Sequence, residues 1–88
     1  MYYIIVYDIA SPKRLPKMLK LMRGYVNHVQ NSVFEGELTK SQLAEVRYKA
    51  KEIMNEDEDS LIIYCVGNEK WLNREIIGIE KRGVSNFL

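Results

Sequence analysis

The stretch Tyr2-Tyr3-Ile4-Ile5-Val6-Tyr7-Asp8-Ile9 is aliphatic or aromatic at every position but one. It has the length of a strand and is rich in β-branched and aromatic side chains, which suit a pleated sheet. Apolar residues at odd and even positions alike predict a strand covered on both faces, at the centre of a sheet. Such a strand is a costly place for an acid, because an unpaired buried charge is strongly destabilising. Asp8 stands one residue from the end of the run. Its carboxylate is therefore expected at the rim of the sheet, where it can meet a metal or a phosphodiester.

Outward from this strand, Ser11-Pro12 reads as an N-cap followed by a first helical residue. Leu15, Met18, Leu19 and Met22 then recur at the spacing of one helical face. Pro16 falls in the first turn, and Gly24 is placed to end the helix. Residues 25–30 and 33–38 read as two short strands joined by a tight turn at Asn31-Ser32, a hairpin. Thr39 and Gln42 form a capping box that opens a second helix with an apolar side of Leu43, Val46, Ala50, Ile53 and Met54. The run Glu56-Asp57-Glu58-Asp59 reads as a solvated loop and lacks the alternating ligand spacing of a calcium loop. Leu61 to Val66 is a second apolar strand, expected beside the first, and Cys65 within it is expected in the core.

The order strand, helix, strand, strand, helix, strand predicts an α+β fold, a ferredoxin-like βαββαβ unit with an antiparallel sheet over residues 1–70. Residues 71–88 are left over. Trp71, Leu72, Ile76, Ile77 and Ile79 make this tail apolar, and its piece 75–79 is strand-like. A strand outside the fold tends to pair with an exposed sheet edge, here that of a second copy, so a homodimer is expected.

Composition narrows the function. The chain has 88 residues, enough for one domain with a modest core that oligomerisation would reinforce. No apolar run approaches the roughly 18 residues of a membrane span, and no signal peptide is recognisable. The single Cys65 excludes an intrachain disulfide and fits a reducing cytoplasm. Net charge is only +1 but unevenly spread. Residues 1–34 carry Lys13, Arg14, Lys17, Lys20 and Arg23 against Asp8, a net of +4, whereas residues 35–88 carry eight basic against eleven acidic residues, a net of −3. The basic part is a candidate polyanion surface.

Three segments, Val6-Tyr7-Asp8-Ile9, Pro12-Lys13-Arg14-Leu15 and Val29-Gln30-Asn31-Ser32-Val33-Phe34-Glu35, resemble in order and spacing the small CRISPR-associated adaptation protein, the Cas-two family. Together with the late apolar strand and the tail, the likeness covers nearly the whole chain. It implies a ferredoxin-like homodimer whose C-terminal strand packs on the partner protomer. It implies further that the dimer bridges two dimers of the Cas-one integrase, which capture DNA and insert it into a CRISPR array. Many members are also magnesium-dependent endonucleases acting on single-stranded RNA or double-stranded DNA. The family's metal residue falls on Asp8, while Tyr7, Arg14 and Phe34 match positions implicated in activity. His28 stands where some members carry an arginine. The alternatives are a non-catalytic DNA scaffold and a toxin-like ribonuclease of the VapD type.

The chemistry of the residues fits such an activity. Mg2+ prefers oxygen ligands and takes one or two carboxylates. One Asp8 per chain is thin, but two facing each other across a dimer axis would share one ion. The competing role for Asp8 is to cap the following helix. Lys13, Arg14, Lys17, Lys20 and Arg23 are expected as phosphate contacts, and Arg14 also as a stabiliser of charge in the transition state. His28 is expected among the nucleic-acid-binding residues, and is either a general acid–base or simply exposed. Tyr7 and Phe34 either stack on bases or fill the core. Trp71, Ile76, Ile77 and Ile79 are the expected partner-binding residues, and the tail is the expected integrase surface.

Overall fold

The alternation of Tyr3, Ile5, Tyr7 and Ile9 decides which way the molecule folds. In a strand these four side chains share one face, and all four are buried in the computed structural model, against the two helices. The structure describes residues 1–72, 75, 77 and 78. Its elements are β1 (Tyr2–Asp8), α1 (Leu15–Arg23), β2 (Asn27–Gln30), β3 (Val33–Glu37), α2 (Lys40–Ile53) and β4 (Ser60–Gly67), followed by a short 3-10 turn at Glu69–Trp71. The strands form one antiparallel sheet in the order β2-β3-β1-β4. This is the ferredoxin-like arrangement expected from the order of elements. Of the further C-terminal strand expected at 75–79, Ile76 and Ile79 lie outside the described residues.

The core fills the space between sheet and helices. Phe34 of β3 faces Ile5 across the strand pair, and both are fully buried with Met18 and Met22 of α1 and Val46 and Ala50 of α2. Gly36 makes room for this packing: a Cβ there would lie 3.0 Å from Cγ1 of Val26. The Thr39–Gln42 capping box forms in full, with Gln42 N donating to Thr39 Oγ1 at 3.1 Å and Thr39 N to Gln42 Oε1 at 2.9 Å.

Three expectations are corrected. α1 begins at Leu15, with Arg14 as its N-cap. Ser11 instead holds a turn, its carbonyl accepting from the amides of Arg14 and Leu15. The reason is Pro16. In a helix starting at Pro12 it would sit past the first turn and lose a needed N–H, whereas here it sits where that donor is an orphan anyway. Gly24 ends the helix in the right-handed region, at φ −76°, without the left-handed turn usual for glycine there. β1 is covered by helices on one face only. The opposite face carries half-buried Ile4 and Val6 beside exposed Ile62 and Tyr64 of β4, with no layer over it among the described residues. β4 lies beside β1 as expected and takes the rim of the sheet, so its apolar run is only half used, and Cys65, expected in the core, is exposed.

Phe34 tests the core. Phe34→Ala removes a ring of zero exposure and should cost about 3–5 kcal/mol in urea unfolding. A loss within the ±0.5 kcal/mol typical of surface substitutions would mean that the ring is not a core element.

Candidate active site

β1 and β4 run antiparallel, so the end of one and the beginning of the other meet at the same rim of the sheet. Asp8 is opposite Ser60 there. Asp8 is exposed. It shares strand parity with Ile4 and Val6 and so projects from the open face of the sheet. No hydrogen bond or ion pair holds its carboxylate among the described residues, and in particular it does not cap α1.

The loops around Asp8 are tied down by Asp59, whose side chain is fully enclosed. Asp59 Oδ1 accepts from the amide of Ala10 at 2.8 Å, and Oδ2 accepts from the amide of Asn55 at 3.0 Å. The Arg14 guanidinium grips both oxygens, Nε to Oδ2 at 2.8 Å and Nη2 to Oδ1 at 3.0 Å. Nη2 also reaches Glu58 Oε1 at 2.9 Å. Arg14 holds the Asp59 carboxyl well below the usual carboxylate range, outweighing the opposing effect of desolvation, with the two amides adding to it. The two carboxylates in turn push the Arg14 guanidinium up, Asp59 more than Glu58. The acidic run is therefore not a purely solvated loop: Asp59 is a structural residue. Arg14 is its partner, not a side chain reaching toward solvent.

The other expected site residues are dispersed. Tyr7 is buried, and burial pushes its phenol up, an effect only partly offset by a hydrogen bond with Ser32 and by the charge of Arg23. It cannot serve as a base near neutral pH. Phe34 is sandwiched in the core, its ring 5.9 Å from that of Tyr7 and 4.5 Å from that of His28, and has no free face for a nucleotide. His28 is half-buried, and its Nε2 donates to the carbonyl of Asn31 at 2.6 Å. That contact supports the hairpin turn, where Asn31 takes a left-handed φ of 44°. Lys13, Lys17, Lys20 and Arg23 are all exposed. Lys17 and Lys20 line a shallow cleft with Tyr25 and Lys49 between the helices, on the layer opposite the face that carries Asp8. Trp71 is exposed with its ring over Gly67, which has φ +90° and where a Cβ would meet that ring at 2.8 Å. Ile77 is also exposed.

Among the described residues, no three His, Cys, Asp or Glu side chains gather in a metal-binding cluster. Asp8 offers one carboxylate, which fits a magnesium ion that keeps most of its waters, and among the described residues no second carboxylate joins it in a metal-binding cluster.

These features define a ferredoxin-like α+β domain with a solvent-facing carboxylate at its rim and a basic helix behind it. The family model for CRISPR associated protein Cas2 matches residues 1–74. "CRISPR-associated endoribonuclease Cas2" of Methanosarcina acetivorans is 41% identical over 88 residues, the whole of both chains. "CRISPR-associated endoribonuclease Cas2 2" of Archaeoglobus fulgidus is 45% identical over 80 residues, 91% of this chain and 86% of that one. A crystal structure described as cas2 superposes with a TM-score of 0.82 at 41% identity, covering 92% of this chain and 90% of that one. Streptococcus pyogenes Cas2 superposes with a TM-score of 0.80 at 31% identity, covering 89% and 100%. The chain belongs to the CRISPR-associated Cas2 family.

The Asp59 network makes stability depend on acid. Its carboxyl is depressed in the folded state, so its contribution is complete above the unfolded value of about 3.9 and drains away as pH falls from there toward the native value. Asp59→Asn should lower the melting temperature at pH 7 by on the order of 10 °C. Followed by circular dichroism, the gap between the wild-type and variant curves should narrow progressively as pH falls below about 4. A constant gap at every pH would show that the charge of Asp59 carries none of the effect.

Proposed function

We propose that this protein is a dimeric, magnesium-dependent endoribonuclease of a CRISPR system, centred on Asp8. The observation that carries the proposal is the Asp8 carboxylate, exposed at the sheet rim and uncommitted to any contact among the described residues. RNA is preferred as substrate because the relatives carry the name endoribonuclease. Asp8 would hold the cation, which when bound polarises a phosphoryl oxygen and makes a water more acidic. The basic residues of α1 would hold the RNA backbone without reading its sequence. Hydrolysis breaks one P–O bond, gives hydroxide to phosphorus and leaves the proton on the departing oxygen.

The dimer supplies the second carboxylate. Ile4, Val6, Ile62 and Tyr64 form an apolar face of the kind that marks an interaction surface, and Asp8 stands at its border. Two copies joined through this face would bring two Asp8 side chains toward one seam, where their mutual repulsion favours a bound cation. A second reading rests on exposed Lys13, Lys17, Lys20 and Arg23. In it the dimer clamps duplex DNA and bridges two integrase dimers during spacer acquisition, and Asp8 does no chemistry.

Cleavage of labelled single-stranded RNA, with magnesium and with chelator, separates the readings. Asp8→Asn should reduce magnesium-dependent cutting by at least about 100-fold while RNA binding is retained. Cutting that survives the substitution ends the nuclease reading. The dimer is tested by sedimentation. Tyr64→Glu, at a position 53% exposed, should give a folded monomer from a wild-type dimer. A wild-type monomer at micromolar concentration overturns the dimer.

A further inference from the structure

The guanidinium of Arg14 lies within the chain segment that follows Asp8, yet it is spent before any substrate arrives. Three of its donor contacts go to carboxylates: Nε and Nη2 to the two oxygens of Asp59, and Nη2 to Glu58. Its side chain is only 23% exposed. A phosphate approaching it would meet two carboxylates around one cation, so the local charge is repulsive. Arg14 is therefore poorly suited to bind the nucleic-acid backbone or to stabilise a reacting phosphoryl group.

What Arg14 does hold is the ground on which Asp8 stands. Its partner Asp59 binds the amide of Ala10, two residues beyond Asp8, and that of Asn55 at the start of the segment following α2. Ser60, directly after Asp59, is the cross-strand partner of Asp8. One carboxylate thus ties together the two segments that flank Asp8. The planar fork of Arg14 closes the arrangement by fixing both oxygens of that carboxylate at once.

We infer that the Arg14–Asp59 pair is the positioning device for Asp8, with Arg14 acting through Asp59 and not on phosphate. As a statement about catalysis this rests on the nuclease reading above. As a statement about Arg14 and the backbone at Ala10 it does not.

The test compares the full-length chain with Arg14→Gln, Arg14→Lys, Asp59→Asn and the double variant Arg14→Gln/Asp59→Asn, at a temperature where each is folded by circular dichroism. Binding of single-stranded RNA is measured against salt. The slope for Arg14→Gln should equal that of the wild type, whereas loss of a phosphate contact would flatten it by about 0.7. In cleavage, Arg14→Gln should lower kcat about 100-fold, as expected for a misplaced reacting group, with KM within about two-fold. Arg14→Lys should fail in the same way, because an ammonium keeps the charge but cannot make the fork. The double variant should be no worse than the more impaired single one. A flattened salt slope, or full rescue by lysine, overturns the inference, since both are signs of a phosphate contact.

If the wild type does not cleave RNA, the nuclease reading fails and the pair is decided by two other measurements. These are the salt slope and hydrogen exchange at the Ala10 amide. That exchange should quicken at least about ten-fold in Arg14→Gln and in Arg14→Lys. Unchanged exchange overturns the inference. Arg14→Lys, which retains the charge, serves as the readout if Arg14→Gln melts too low.

Discussion

A single buried carboxylate organises the working end of this protein. Asp59 is a side chain that hydrophobic burial alone would expel from the interior. It stays there because four donors meet it: two backbone amides and two nitrogens of one arginine. Burying a charge is tolerable only when its lone pairs are satisfied in this way. The consequence reaches beyond Asp59 itself. Antiparallel pairing brings the end of β1 and the start of β4 to one rim but leaves the loops there free to wander. The carboxylate removes that freedom by joining the loop after β1, the segment after α2 and the N-cap of α1. The rim is thus held by polar contacts and the rest of the domain by apolar packing.

Much of the architecture was legible in the sequence because it follows from periodicity. The strand-length apolar run from Tyr2 to Ile9, the helical spacing of Met18 and Met22, and the Thr39–Gln42 box all depend on neighbours near in sequence. What was not legible depends on neighbours far away. Whether β4 lies inside or at the edge of the sheet cannot be read from Leu61 to Val66, since either position accepts an apolar run. The acidic run concealed Asp59 for a related reason. Nothing within Glu56 to Asp59 marks one acid as buried, and its partner Arg14 lies 45 residues away. A usable signal did exist. Once β1 and β4 are taken as antiparallel neighbours, the residues just after one and just before the other must meet, and those residues include a base and an acid.

The candidate site was legible in one residue and misleading in others. Asp8 stands where a carboxylate ending an apolar strand should stand, at the rim and in solvent. Tyr7 and Phe34 neighbour it in the sequence or in its motifs but belong to the interior, where they stack with His28 behind the hairpin. Their importance is to shape: the aromatic stack and the Ser32 contact set the hairpin against β1. The basic residues of α1 present charge on a different layer from the carboxylate. A nucleic acid that used both would have to pass around the rim between them.

The placement of Asp8 on the open face has a consequence for how the gene can change. Side chains alternate across a strand, so the accessibility of Asp8 and the burial of Tyr7 are two aspects of one count of residues. Losing or gaining a single residue within β1 would exchange the faces beyond that point. Asp8 would be turned beneath the helices and the phenol of Tyr7 into solvent. Point substitution of Ile4 or Val6 by another apolar residue would leave that parity intact. The strand can therefore drift in composition while its length stays frozen, and the constraint on length comes from the same residue that gives the rim its chemistry.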